Sequence, residues 1–262
     1  MNREIKISVR NLVEFVLRSG DIDTTFMGAS RALEGTRGHQ KVQGSYDECY
    51  EKEVVLKYSF LYDGFNITLD GRADGIFKDE GYIVVDEIKT TTRALDSINE
   101  DYNLLHWAQA KCYAYMYCIE HDLEKIYVQL TYFQLDDNET KIFKKQFTFD
   151  ELESFFYSLI DKYIKWIRFT SDWGNKRDES IKGLNFPFDN YRKNQRELAI
   201  GVYKTILDEK NLFVQAPTGI GKTISTLFPT IKSMGEGLCY KIFYLTAKTV
   251  TRQVAIDAVR KM

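Results

Sequence analysis

The sequence predicts an α/β protein in two parts: a mixed-sheet α/β domain, followed by the start of a parallel α/β domain built around a glycine loop. Three observations carry this. Strand-like runs separated by short turn signals enclose a helical stretch over residues 103–120. A second helix over 150–169 places Leu152, Phe155, Phe156, Leu159, Ile160, Tyr163, Ile164 and Ile167 on one face. From residue 212, an apolar run passes through a glycine-rich turn into a helix, the order of a parallel α/β unit.

Residues 11–17 have helical apolar spacing and stop at Ser19-Gly20. A polar segment over 30–43 contains Gly35, Gly38 and His39. Residues 54–62 and 65–69 form a hairpin about Asp63-Gly64, and 71–77 and 82–88 form a second one about the turn 78–81. Ile83-Val84-Val85 is a buried central strand. Residues 125–135 and 140–149 are two more strands, split by Asp136-Asp137-Asn138. This first domain is expected over 1–170, with a polar linker over 171–189. The second part, 190–262, should hold a helix at 195–208, a strand at 212–215, the glycine loop, a helix, a strand at 241–246 and a last helix. Two parallel strands cannot bury both faces, so this part reads as cut from a longer chain.

Composition excludes several classes. Hydrophobic residues make up 44% and charged residues 28%, which fits a soluble globular chain. No apolar run approaches the ~20 residues of a membrane span. The N-terminus has no apolar signal segment, which points to the cytoplasm. Cys49, Cys112, Cys118 and Cys239 are scattered and form no C-x-x-C pair, so a disulfide framework is not expected. The net charge of −2 conceals an asymmetry: residues 1–159 sum to −10 and 160–262 to +8. A basic second part suits contact with phosphates.

The first constellation is Asp74, Glu87 and Lys89. Asp74 ends Gly71-Arg72-Ala73-Asp74, and Glu87-Ile88-Lys89 lies on the next strand. Residues two apart on a strand share a face, so Glu87 and Lys89 point the same way, and hairpin pairing brings Asp74 to them. Asp86 then faces the opposite side. Two carboxylates and an ammonium suit a hard divalent cation and an attacking water, the needs of phosphodiester hydrolysis. The ordered set resembles the RecB-like branch of the PD-(D/E)xK nucleases: G-x-x-D in Gly71–Asp74, E-x-K in Glu87–Lys89, then Q-x-x-x-Y in Gln109 and Tyr113. The resemblance covers about residues 1–165. It implies catalytic roles for Asp74, Glu87, Lys89, Gln109 and Tyr113. It implies His39, after Gly35-Thr36-Arg37-Gly38, as a metal ligand beside Asp74 and Glu87. Mg²⁺ or Mn²⁺ is the expected metal, because the ligands are mostly oxygen. An inactive nuclease fold kept for DNA binding or docking is the alternative.

The second constellation is Ala216-Pro217-Thr218-Gly219-Ile220-Gly221-Lys222-Thr223, a phosphate loop between a strand and a helix. Backbone N–H groups around Thr218, Gly219 and Gly221 would curl about the phosphates. Lys222 would reach the β and γ phosphates, and Thr223 would ligate Mg²⁺. Gln195, upstream, reads either as an adenine-sensing residue or as an ordinary polar helix start. With Tyr244-Leu245-Thr246-Ala247-Lys248-Thr249, the loop resembles the XPD/DinG branch of superfamily 2 helicases over about 186–262. That resemblance implies ATP as cofactor, DNA as partner, single-stranded in particular, and the C-terminal helicase domains as missing partners. An iron–sulfur cluster of this family would lie beyond Met262. No Walker B motif or arginine finger follows, so this chain alone should bind ATP weakly and hydrolyse it negligibly. The whole reads as part of a helicase–nuclease of DNA repair or processing.

Overall fold

The computed structural model describes residues 4–20, 29–247 and 249–262. It divides into two compact units at Trp166 and Ile167.

The first unit is a six-stranded mixed sheet. Strands β1 (Glu4–Ser8), β2 (Glu51–Tyr62), β3 (Phe65–Asp79), β4 (Tyr82–Thr91), β5 (Lys125–Gln134) and β6 (Thr140–Thr148) carry it, with helices α1 (Val9–Leu17), α2 (Ala29–Ser45), α3 (Leu104–His121) and α4 (Phe149–Lys182). Asp63 and Gly64 both have positive φ (52° and 78°), as do Glu80 and Gly81 (48° and 89°). This is the geometry of two-residue turns whose twist matches the flanking strands. Asn103 caps α3, its Oδ1 accepting from Leu105 N–H at 3.0 Å.

β2 runs antiparallel along one edge of β3. β1 and β4 therefore share the other edge. β1 pairs in parallel with residues 66–70, and β4 pairs antiparallel with residues 75–79. Between them, residues 71–74 face a notch. β4 continues in parallel to β5, and β5 to antiparallel β6. β5 is covered on both faces and nearly every residue of it is buried.

Helix α2 packs on the face of Asp86, Ile88 and Thr90; Val42, Ile88 and Phe133 form its core contact. Helix α3 covers the opposite face, with Trp107, Ala110, Tyr113 and Tyr115 buried. There the α4 face joins through Phe156, whose ring lies 4.6 Å from that of Tyr115.

Several expectations are corrected. Residues 65–79 are one continuous strand, not two, because no residue within it breaks the extended chain. β1 is an added strand that five residues of weak pattern did not announce. Helix α4 extends through Lys182, so most of the expected linker is helical. Polar residues there do not break a helix, and the stop comes with Gly183.

The second unit holds the end of α4 and helices α5 (Gln195–Leu207), α6 (Lys222–Gly235) and α7 (Thr249–Arg260). Lys232 Nζ caps α4 by donating to the carbonyls of Ile181 (3.1 Å), Lys182 (3.0 Å) and Leu184 (3.3 Å). The strands expected at 212–215 and 241–246 are not formed. Phe213 and Leu245 there are 95% and 89% exposed. A lone parallel pair would bury neither face, so little favours its ladder. Among the described residues, no helix is long and apolar enough to cross a membrane.

Candidate active site

The notch in the sheet edge creates the site. Asp74 is unpaired in both ladders. On one side, Lys52 pairs with Gly75 and Val54 with Ala73, skipping Glu53 and Asp74. On the other, pairing with β4 ends at Gly75 and Asp86. The strand also rolls over here. A methyl on Gly71 would stand 2.6 Å from Tyr113 Cε1 of α3, whereas one on Gly75 would stand 1.9 Å from the Tyr50 ring, which bonds to Asp86 on the α2 face. In a regular strand, residues four apart share a face.

The roll swings the Asp74 carboxylate into the notch. Its Oδ2 accepts from Ile88 N–H at 2.7 Å, and its Oδ1 lies 3.4 Å from His39 Nδ1 of α2. Helix α2 can come this close because of its glycines. A methyl on Gly38 would stand 2.6 Å from Thr90 Cγ2, and one on Gly35 3.3 Å from Thr90 Oγ1.

From the other face come Glu87 and Lys89. Glu87 is 1% exposed, and its Oε1 accepts from Lys89 Nζ at 2.5 Å. Its Oε2 is buried and has no hydrogen-bond partner. Burial raises the Glu87 carboxyl well above the usual range, against the pull of Lys89. Tyr113 Oη accepts from Gln109 Nε2 at 3.3 Å and from the Arg72 N–H exposed in the notch. Burial, followed by the Glu87 charge, raises the Tyr113 phenol. The structure thus brings His39, Asp74, Glu87, Lys89, Gln109 and Tyr113 around one notch.

Would a divalent cation fit? An orphaned buried carboxylate oxygen beside a second carboxylate and an imidazole is a donor set of the right chemistry. As the side chains stand, no three His, Cys, Asp or Glu among the described residues are gathered as a cage. The Glu87–Lys89 pair occupies one carboxylate oxygen and leaves the other without a hydrogen-bond partner.

Three further residues surround the site: Gln43 and His106, which the sequence reading did not single out, and Asp86, which it placed only as facing away. Gln43, one turn after His39, is buried; its Nε2 donates to Asp74 O (2.8 Å) and Glu53 Oε1 (2.9 Å). Its i+4 spacing from His39 was the available signal. Asp86 is fully buried behind the site, accepting from Thr131 (2.6 Å), Tyr50 (3.0 Å) and Gln129 (3.2 Å), and burial raises its carboxyl to about 6. His106 on α3 lies between Tyr132 Oη (2.9 Å) and Asn103 Nδ2 (3.1 Å). Because Asn103 Oδ1 caps the helix, its amide nitrogen must donate to His106 Nε2, which puts the ring proton on Nδ1. Burial lowers this imidazole to about 3.

In the second unit, α6 starts at Lys222, after Gly219 and Gly221 at φ 88° and 84°. Lys222 Nζ folds back on the loop, donating to Ala216 O (3.0 Å) and Pro217 O (2.9 Å). Gln195 is buried, its Oε1 accepting from Arg192 N–H at 2.8 Å. A methyl on Gly221 would meet its Nε2 at 2.4 Å. Thr218 is exposed, and Thr223 Oγ1 lies 3.5 Å from Tyr244 Oη. Lys248 lies outside the described residues.

A family model described as the PD-(D/E)XK nuclease superfamily matches residues 26–199, and the chain belongs to that superfamily. A probable ATP-dependent helicase of Methanocaldococcus jannaschii is 39% identical over 46 residues. That stretch is 18% of this chain and only 7% of the helicase. The crystal structure of SSO0001 aligns with a TM-score of 0.40 at 22% identity, covering 61% of this chain and 77% of that one.

Proposed function

We propose that the first unit is a metal-dependent nuclease acting on DNA, single strands in particular, and that the second belongs to an ATP-driven helicase motor. The observation that carries the nuclease reading is the unpartnered, buried Oε2 of Glu87 facing a notch that also holds Asp74, His39 and Lys89. A Mg²⁺ or Mn²⁺ ion held by Asp74 and Glu87, with His39 beside them, would supply Lewis-acid activation of water and neutralise phosphate charge. Lys89 would orient the attacking water and stabilise negative charge developing on the phosphate. Gln109 and Tyr113 shape the wall, and Tyr113 fixes the open edge of β3 through the Arg72 N–H.

The positive-φ glycines and the helix start at Lys222 support nucleotide binding by the second unit. Phosphates would displace Lys222 from the Ala216 and Pro217 carbonyls, and Thr223 would ligate Mg²⁺. Helicase activity in DNA repair or processing rests on the short match to a probable helicase and on the motif resemblance.

The nuclease reading is tested with 5′-labelled single-stranded DNA and Mn²⁺, comparing the parent with Lys89→Ala and Asp74→Ala variants of matched folding. Cleavage by the parent and loss in both variants supports it. An inert parent, or variants that cut equally well, leaves a binding module attached to a motor.

A further inference from the structure

The nuclease site does not end at its carboxylates. From Asp74, a chain of hydrogen bonds leads along the α2 side of the sheet to an exposed cation. Gln43 bridges the Asp74 carbonyl and Glu53 Oε1, and Glu53 Oε2 accepts from Arg72 Nε at 2.6 Å. Each link has a structural reason. Asp74 O needs a partner because the ladder is broken at this level, and Gln43 supplies it. Glu53 stands opposite Asp74 in the same break, with φ at 56°, a left-handed conformation that a side-chain-bearing residue adopts rarely. That conformation aims the Glu53 carboxylate at Gln43 and Arg72 instead of leaving it in the strand's regular alternation.

Arg72 itself sits two residues before Asp74 on β3, about 7 Å along the strand. Its side chain is 64% exposed, while its own N–H is tied to Tyr113 at the wall of the notch. An ion pair this exposed adds little to stability, so stability is a poor account of a strained glutamate held by a buried glutamine. A guanidinium fixed in line with the site, with donors still facing solvent, is suited to a phosphodiester.

We propose that Arg72 binds a backbone phosphate of the substrate strand next to the one at Asp74 and Glu87, and that Glu53, set by Gln43, holds it poised until the phosphate arrives. This rests on the nuclease reading of the notch. Substrate phosphate replaces the Glu53 carboxylate as the partner of the guanidinium, so Glu53 also acts as the competitor that weak ligands must displace.

The test is binding, measured apart from cleavage. Anisotropy of a fluorescein-labelled oligothymidine is followed with the full chain in EDTA over a KCl series. Arg72→Ala should weaken binding about fivefold and lower the slope of log affinity against log salt by about 0.7, the loss of one single-strand phosphate contact. Arg72→Lys should keep the slope while binding less tightly than the parent. Glu53→Gln should bind more tightly than the parent. Arg72→Ala with the parent's affinity and slope overturns the proposal, as does lost affinity at an unchanged slope, the mark of a merely structural ion pair. A parent that binds no strand overturns it together with the nucleic-acid reading. A parent that binds with an Arg72-dependent slope yet cuts nothing with Mn²⁺ sinks the nuclease reading and leaves the phosphate contact standing.

Discussion

Substituting Gly38 by Ala tests how the site is assembled. The added methyl would lie 2.6 Å from Thr90 Cγ2, 3.1 Å from Phe133 Cδ1 and 3.2 Å from Leu135 Cδ2. Carbon atoms in contact prefer about 3.5–4.0 Å, so α2 must retreat by on the order of 1 Å. Two effects oppose each other in stability. Alanine favours the helix by about 1 kcal/mol over glycine, while overpacking costs about 1–3 kcal/mol. The net loss is therefore about 0–2 kcal/mol, a fall in Tm of a few degrees at most. The effect on the site is larger, because the next residue is His39, only 3.4 Å from Asp74. The expected result is a modest fall in Tm with a tenfold or greater loss of Mn²⁺ affinity, both read on the same preparation by thermal melts and calorimetry. Thr90→Ser removes the blocking Cγ2. The double variant should recover metal affinity, with a coupling of about 1 kcal/mol between the two positions. Unchanged metal affinity in Gly38→Ala, or no recovery with Thr90→Ser, would refute the close-approach argument.

Other consequences follow from the same geometry. Gly71→Ala places a methyl against Tyr113 and should destabilise the first unit by about 1–3 kcal/mol, seen in urea melts, with Tyr113→Phe giving only partial relief, because it removes the hydroxyl at 2.9 Å but leaves the ring carbon at 2.6 Å. His106 is held neutral in the folded state, so the unfolded chain binds more protons between pH 6.5 and 3, and stability is lost as pH falls through that range. From pH 7 to 5 this amounts to up to about 2 kcal/mol, and His106→Gln should flatten that part of the pH–stability curve relative to the parent. Lys222→Ala should abolish whatever ATP affinity the parent shows in equilibrium dialysis, while leaving DNA cleavage by the first unit unaltered.

What the sequence disclosed was local chemistry. The Asp63-Gly64 turn was legible because Asp and Gly are among the few residues that accept positive φ at central positions, the second turn only as the stretch 78–81, and helix α3 as a long helical stretch over 103–120. The approach of Asp74 to Glu87 followed from the hairpin, although the ladder itself stops at Gly75 and Asp86, and the opposite fate of Asp86 followed from strand alternation. Less was legible where structure depends on distant partners. β1 owes its existence to the free edge of β3. The roll of β3 at Asp74 leaves no mark in composition, and without it Gln43 and Glu53 have no reason to be noticed. Gly35 and Gly38 were visible as residues, but their role is the approach of α2 to Thr90, a contact between segments far apart in the chain. In the second unit, the apolar runs at 212–215 and 241–246 carried a strand pattern that no neighbouring strand completes.

A divalent cation in the notch would rest on Asp74 and Glu87. Calorimetric titration of the nucleotide-free chain with Mn²⁺ tests it most directly. The parent should bind Mn²⁺ saturably, with binding lost in Asp74→Ala and Glu87→Gln and weakened in His39→Ala. Mn²⁺ binding that survives intact in both carboxylate variants, or a correctly folded parent that takes up no Mn²⁺ at all, would contradict it.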